Sequence, residues 1–219
     1  MISFNAFKDS VSKIKKMPLP GFEAQLKMAA VERLEELQRE SLLNKKPRKA
    51  AVMMLIYPIN DIAHFVLIER MISKGAHSGQ IAFPGGRKEE EDQDDAVTAI
   101  RETHEEVGII PEQQEIITAG TPIYIPPSNY MVAPFLAFAK AELQFTPQPS
   151  EVKSIIEVPL HELMDARNVR QHTLSTSYAT DITVPCYCLQ DQVVWGGATA
   201  MMLAEFKTML QQSLSLSND

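Results

Sequence analysis

Cysteine is scarce in this chain, which has only Cys186 and Cys188 among its 219 residues. A structural zinc site needs about four ligands, and no second Cys or His pair is spaced to supply the others. The two cysteines lie two positions apart in a predicted strand over 184–189, so their side chains point to the same face. We interpret them as small packing residues in a reducing compartment and expect a cytoplasmic protein.

Long apolar runs and an excess of basic residues are also missing. No run approaches the roughly 18 apolar residues of a membrane helix, and the N-terminus lacks a secretory pattern. The net charge of −7 and the pI near 5.3 argue against a nucleic-acid surface, which normally carries a basic patch. We therefore expect neither a membrane nor a nucleic acid among the partners.

Proline and glycine clusters divide the chain into two parts. Apolar residues at helical spacing predict a short amphipathic helix within residues 1–20 and a longer helix over 22–41. Such segments can lie on a membrane surface, but more often they pack on the domain or on a second subunit, so a homodimer is one expectation. A basic linker over 44–49 follows. We expect a helical extension over residues 1–48 and the main domain over 49–219.

Short apolar runs in the main domain predict a sheet. The predicted strands cover 50–57, 64–70, 81–83, 116–123, 132–139, 154–158, 184–189 and 192–195. Helices are predicted over 96–107, 160–166 and 198–210, and a polar loop is predicted over 168–183. The single tryptophan, Trp195, is interpreted as a core residue. The pattern indicates a mixed α/β chain whose helices can cover both faces of a sheet.

The predicted helix over 96–107 carries a cluster of carboxylates. Residues three and four apart share a helix face, so Glu102, Glu105 and Glu106 project together. An i, i+4 pair of like charges costs a helix roughly a few tenths of a kcal/mol. A divalent cation would remove that cost, and carboxylate oxygens suit Mg²⁺ and Mn²⁺. A solvated acidic face is the alternative. The nearby glycines and Arg101, which can orient a carboxylate, favour a metal site.

The spacing around this helix resembles a known signature. Gly86, five residues, Asp92, eight residues and then the run from Arg101 to Ile109 resemble the signature box of the Nudix hydrolases. The usual box has Glu in place of Asp92 and one residue fewer before the arginine. The longer form is similar to the branch that includes the coenzyme A pyrophosphatases.

A second motif of that branch lies just upstream. Leu67, Arg70, Gly79 and the segment 83–86 match it, but Met71 and Gly75 stand where Ser and Arg are expected. The missing arginine is of the kind that would hold a substrate phosphate. The resemblance extends from about residue 49 to the helix after Trp195.

The resemblance implies an α/β fold, a Nudix-like α/β/α sandwich around a mixed β-sheet, here with an N-terminal helical extension. It implies metal-dependent hydrolysis of a diphosphate bond in a small nucleoside diphosphate derivative, with Mg²⁺ or Mn²⁺ as cofactor. Coenzyme A or acyl-coenzyme A is the first expected substrate, and ADP-ribose or another nucleoside diphosphate derivative is the alternative. A nucleotide-binding module without hydrolysis is a further alternative, which the intact box glutamates disfavour.

Residue roles follow from the same resemblance. It implies Glu102 and Glu106 as principal metal ligands, Glu105 as a further ligand, and the backbone carbonyl of Gly85 or Gly86 as the completing oxygen.

The catalytic candidates are Arg101, Glu105 and Glu151. Arg101 would orient a box glutamate, and the general base is left between the two glutamates, since Glu151 could equally be a solvated loop carboxylate. Five residues are candidates for substrate contact, and each could also belong to an ordinary surface loop: Arg70, Lys74, His77, Asn129 and Tyr130. The first three could bind phosphates, and the last two could line a base or pantetheine pocket.

Overall fold

A computed structural model of the protein describes residues 1–29, 46–72, 79–174, 182–195 and 197–215. Within these ranges the helices are α1 (Phe4–Ile14), α2 (Gly21–Leu26), α3 (Asp95–Val107), α4 (Leu160–Met164) and α5 (Ala198–Leu214). The strands are β1 (Arg48–Ile59), β2 (Ile62–Arg70), β3 (Ile81–Ala82), β4 (Gly85–Arg87), β5 (Glu115–Ala119), β6 (Ile123–Ile125), β7 (Tyr130–Phe138), β8 (Val152–Pro159), β9 (Val169–Leu174), β10 (Ile182–Leu189) and β11 (Gln192–Trp195).

The main sheet is mixed, as the family resemblance implies. Its path runs β3-β2-β1-β7-β5, with β4 paired to β1, β6 to β7 and β8 to β2. β1 runs parallel to β7 and antiparallel to β2 and β4. A smaller sheet is formed by β11, β10 and β9.

Alternation along β1 divides the core into two layers. Ala51 and Met53 face one side, where they pack with Ala99 and Val107 of α3. Met54 belongs to the cluster on the other side, which also holds residues of α1 and α5. Because strand side chains alternate between faces, one apolar run supplies both layers. The predicted α/β/α sandwich is confirmed.

The predicted N-terminal helix is confirmed as α1, and it packs on its own domain. Phe4, Phe7 and Ile14 are buried in the core cluster. The ring of Phe7 lies 6.2 Å from that of Phe138 on β7. The helix predicted over 22–41 does not run on unbroken, because α2 ends at Leu26 and turns follow to residue 29. Its remainder falls on 30–45, outside the described residues.

A buried carboxylate fastens α2 to α5. Glu205 accepts hydrogen bonds from the backbone N–H of Gly21 at 3.1 Å and from the side-chain amide of Gln25 at 2.9 Å. It also accepts from both the backbone N–H and the hydroxyl of Thr121, at 3.0 and 2.6 Å. These contacts explain how a fully buried charge is tolerated.

The polar loop predicted over 168–183 is wrong at both ends, since β10 already begins at Ile182, and residues 175–181 lie outside the described residues. Residues 169–174 form β9, which pairs antiparallel with β10. Its polar residues are exposed at Arg170, Gln171 and His172, so no apolar alternation marks it as a strand.

On β10, Cys186 is buried and neither cysteine is in a disulfide. Burial raises the pKa of the Cys186 thiol to about 11, which keeps it protonated. In the described parts of the chain, every helix is too short or too polar to cross a bilayer.

Candidate active site

Helix α3 carries the carboxylate cluster. Asp94 caps its start by accepting a hydrogen bond from the backbone N–H of Val97 at 2.9 Å. Gly108 ends it in the left-handed conformation, with φ at 78°, as the sequence predicts. Thr103 and Val107 are buried against the sheet. One face of the helix is thereby fixed, and the glutamates are carried toward β4.

Two glycines of β4 let the helix approach closely. A Cβ on Gly86 would lie 2.6 Å from Cδ of Glu102, and one on Gly85 would lie 2.5 Å from Cα of Val52. Gly85 also has a φ of 147°, which side chains rarely allow. Any other residue at either position would push the carboxylate or the strand away. We call Gly85 and Gly86 the glycine turn.

Glu106 is the most buried carboxylate of the cluster, with 1% of the residue exposed. One carboxylate oxygen accepts the backbone N–H of Gly85 at 2.7 Å, and the other accepts Nη1 of Arg70 at 2.9 Å. Burial raises its pKa to about 7 despite these two contacts, and the charges of Glu102 and Glu151 add to the rise. Burial disfavours the charged form of Glu106, and a cation bound nearby would stabilise that form.

Glu102 and Glu105 share one arginine. Nη1 of Arg101 donates to Glu102 at 3.1 Å and to Glu105 at 2.9 Å. The side chain of Glu102 is 13% exposed, whereas the side chain of Glu105 is 55% exposed. Burial raises the pKa of Glu102. The helix therefore presents two enclosed carboxylates and one at the surface.

Asp92, which stands where the usual signature box has Glu, is bound by Arg101. Nε and Nη2 of Arg101 donate to its two oxygens at 3.0 and 2.9 Å. It also accepts the hydroxyl of Thr98 and the backbone N–H of Glu89, both at 2.9 Å. These hydrogen bonds, above all that from Arg101, hold the pKa of Asp92 well below its usual range. Sequence reasoning noted Asp92 as a departure but missed this contact.

Arg101 is fixed by hydrogen bonds to three carboxylates and to one backbone carbonyl. Its Nη2 also donates to the backbone carbonyl of Arg87 at 2.9 Å, so it links α3 to β4. It does not line the cavity that opens beside the glycine turn. This position fits the predicted orienting role, which stays a prediction.

A cavity of about 670 Å³ opens beside the glycine turn. Its walls include Glu102, Glu151, Arg70, Tyr130, Phe83 and Trp195. The interpretation of Trp195 as a core residue is wrong, because the side chain is only partly buried and lines the cavity. Sequence reasoning also missed Arg48, which it assigned to a linker but which begins β1 and lines the cavity.

The predicted substrate residues have different surroundings. Arg70 lines the cavity, but its guanidinium is paired with Glu106. Tyr130 lines the cavity as well. Asn129 does not; it ends a turn with φ at 52° and accepts the hydroxyl of Tyr124 at 3.0 Å. Lys74 and His77 lie outside the described residues.

The donor set suits a hard divalent cation. Glu102 and Glu106 supply carboxylate oxygens, and Gly86 carries no side chain between them and its backbone. Across the described ranges, no three His, Cys, Asp or Glu side chains already converge as a ligand set. Arg70 and Arg101 hold the carboxylates instead. The residues fit Mg²⁺ or Mn²⁺ by chemistry, and the roles of Glu102, Glu105, Glu106 and Gly86 as ligands stay predictions.

Several known proteins are similar to this chain. Mitochondrial Nudix hydrolase 15 of Arabidopsis thaliana is 32% identical over 128 residues, which cover 57% of this chain and 45% of the relative. The peroxisomal coenzyme A diphosphatase NUDT7 of Mus musculus is 33% identical over 113 residues, covering 52% and 47%. The chain thus spans about half the length of these two relatives. An uncharacterized Nudix hydrolase, NudL, of Pectobacterium atrosepticum is 31% identical over 162 residues, covering 71% and 79%.

A solved structure of a MutT/nudix family protein from Enterococcus faecalis has a TM-score of 0.48 and 17% identity, covering 85% of this chain and 75% of that one. Residues 47–176 match the family described as the NUDIX domain. The match takes in β1 through β9, including α3 and the glycine turn. The chain therefore belongs to the Nudix hydrolase family, whose members act on phosphorus-containing acid anhydrides.

Proposed function

We propose that this protein hydrolyses the diphosphate bond of coenzyme A or acyl-coenzyme A with Mg²⁺ or Mn²⁺. The observation that carries the proposal is the cavity, which joins the glycine turn and Glu102 to aromatic walls at Tyr130 and Trp195. The carboxylates suit a metal-bound diphosphate, and the aromatic walls suit the rest of a nucleotide derivative. The mouse relative named a coenzyme A diphosphatase supports this choice of substrate.

Glu106 and Glu102 would hold the metal, with the carbonyl of Gly86 and with Glu105 as a further ligand. A metal bound there would neutralise phosphate charge and lower the pKa of the attacking water. Arg101 keeps Glu102 and Glu105 oriented through its hydrogen bonds to both. Positioning and charge neutralisation account for most of phosphoryl-transfer catalysis.

Glu151 is our choice for the general base. It is exposed and lines the same cavity as Glu102. Burial raises the pKa of Glu102 and of Glu106, and the negative charge of Glu151 adds to both shifts. Glu105 is instead paired with Arg101 and does not line the cavity. A base must be within reach of the water whose proton it accepts.

Three further expectations remain proposals. Residues 1–48 form an extension to a domain over 49–219, although α1 shares the domain's core. The protein works in the cytoplasm, whereas relatives are named mitochondrial and peroxisomal. A homodimer is the expected assembly.

The test is a substrate panel with Mg²⁺ or Mn²⁺ and products identified by mass. We expect coenzyme A to yield phosphopantetheine and adenosine 3′,5′-bisphosphate, and Glu151→Gln to lower kcat by about a hundredfold or more. His104→Gln is the control, because His104 is exposed on α3 and does not line the cavity. Cleavage of ADP-ribose without cleavage of coenzyme A would replace the proposed substrate by the alternative.

A further inference from the structure

Two arginines in the cavity have no acidic partner among the residues that the structure describes. Arg48, Arg70 and Arg87 are the positively charged residues of its wall. Arg70 is paired with Glu106, whereas in the described parts of the chain no carboxylate pairs with Arg48 or Arg87. Two positive charges left unpaired beside each other repel, and an anion between them would remove that repulsion.

Strand register puts these two side chains on one face. Arg87 of β4 pairs antiparallel with Ala50 of β1, and Arg48 lies two residues before Ala50. Directly paired residues share a face, as do residues two apart along a strand. Arg48 and Arg87 are therefore diagonal neighbours with Cα atoms roughly 7–8 Å apart, within reach of one ligand.

Arg48 is held in place by the neighbouring strand and turn. Its guanidinium carbon lies 4.2 Å from the ring centroid of Tyr130, with which it is in register on β7. Its Nη2 donates to the backbone carbonyl of Ser128 at 2.9 Å. These contacts use one face of the Arg48 guanidinium and one of its five N–H donors, so other donors are left for an anion. Because the side chain is already held, Arg48 loses less conformational entropy when it binds an anion.

The pair lies beyond the reacting end of the cavity. Along β4, Arg87 lies two residues after Gly85, so their Cα atoms are about 7 Å apart. On β1, Val52 pairs with Gly85, and Arg48 lies four residues before Val52, a distance of about 13 Å along the strand. A ligand whose diphosphate lies at the glycine turn would therefore bring a second, remote group to the arginines.

We propose that Arg48 and Arg87 form an arginine subsite that binds a phosphate monoester on the ribose of the substrate, at a distance from the diphosphate that is cleaved. The proposal rests on the proposed function for the place of the diphosphate. The subsite would also supply the positive charge that the related motif provides with an arginine at the position of Gly75. The subsite would make the enzyme prefer nucleotides with the additional phosphate.

Equilibrium binding tests the subsite without catalysis. Calorimetry in EDTA compares adenosine 3′,5′-bisphosphate with AMP for the wild type, Arg48→Gln, Arg87→Gln and the double variant. A charge-assisted contact contributes about ten- to a hundredfold in affinity, so we expect the wild type to prefer the bisphosphate by that factor. The double variant should lose most of the preference, and Arg48→Lys should keep part of it.

Two controls separate the subsite from general charge effects. Arg167→Gln removes an exposed arginine that pairs with Asp165 and does not line the cavity, and it should keep the full preference. Tyr130→Leu should weaken the preference more than Tyr130→Phe, because phenylalanine keeps the ring under Arg48. A wild type without preference, a preference that survives the double variant, or an equal loss in Arg167→Gln would each overturn the proposal.

Steady-state kinetics keeps the two proposals apart. The ratio of kcat/KM for coenzyme A to that for dephospho-coenzyme A should fall in the double variant, mainly through KM for coenzyme A. If neither compound is cleaved but the bisphosphate preference depends on both arginines, the substrate proposal fails and the subsite stands. If both compounds are cleaved with a ratio that the variants leave unaltered, the subsite fails and the function stands.

Discussion

Replacing Glu106 by Gln should change how the stability of the metal-free protein depends on pH. Burial raises the pKa of Glu106 from 4.5 to about 7 in the folded protein. For a carboxyl group with a raised pKa, the unfolded chain releases its proton first as the pH rises. The free energy of unfolding therefore falls from about pH 4.5 to about pH 7, and the loss persists at higher pH.

The size of this loss follows from the shift. Each pKa unit corresponds to about 1.4 kcal/mol, so Glu106 alone costs the folded protein about 3 kcal/mol above pH 7. Gln cannot ionise, so the variant should gain about that amount relative to wild type between pH 4.5 and pH 8. The amide of Gln also points a donor at Arg70 or at the N–H of Gly85, a cost of about 1–3 kcal/mol that is independent of pH.

Urea unfolding in EDTA at several pH values measures the gain. The informative quantity is the change with pH of the difference between wild type and Glu106→Gln, since the constant offset cancels. Glu105→Gln on the same helix is the control and should gain far less, because its side chain is 55% exposed to water. Parallel pH profiles for the wild type and Glu106→Gln would refute the claim that burial raises the pKa of this carboxylate.

Three more predictions follow from the same contacts. Mg²⁺ should raise the Tm of the wild type by binding the native state, and the double change Glu102→Ala with Glu106→Ala should remove that rise; an unaltered rise would put the ion elsewhere. Asp92→Asn should lower the free energy of unfolding by about 3 kcal/mol in urea titrations, because Arg101 loses the carboxylate that it binds through two nitrogens and keeps only Glu102 and Glu105; since the pKa of Asp92 is lowered, the cost should shrink as the pH falls below about 4, and a cost that stays constant would contradict this. Gly86→Ala should weaken Mg²⁺ binding in calorimetry and lower kcat, because its Cβ would displace the Glu102 carboxylate; wild-type metal affinity would contradict the close approach.

The parts of the site that depend on neighbours in sequence are predictable. The cap at Gly108 and the shared face of Glu102 and Glu106 follow from helix geometry, and α3 has the predicted bounds within a residue. A continuous apolar run likewise predicts β1, because the strand is buried on both faces. Local pattern is sufficient where burial on one or two faces decides the structure.

Contacts between distant residues are not predictable in this way. Arg70 and Glu106 are 36 positions apart, and no periodicity indicates that they pair. β9 is polar and exposed, and only its pairing with β10 makes it a strand. Trp195 has the composition of a core residue, and its place at the cavity depends on where β11 meets α5. Each of these features is set by tertiary packing, which overrides local preference.

The glycine turn also explains why residues from both layers of the fold meet at one cavity. Gly86 pairs with Ala51, which faces α3, and Gly85 pairs with Val52, which packs toward α5. Because neither glycine has a side chain, the sheet is open on both faces at this point. Glu102 can therefore reach the cavity from the α3 side while Trp195 and Met202 line it from the other. Glu102 and the cavity walls at Trp195 and Met202 lie in separate layers, and two adjacent positions without a Cβ bring them into one site.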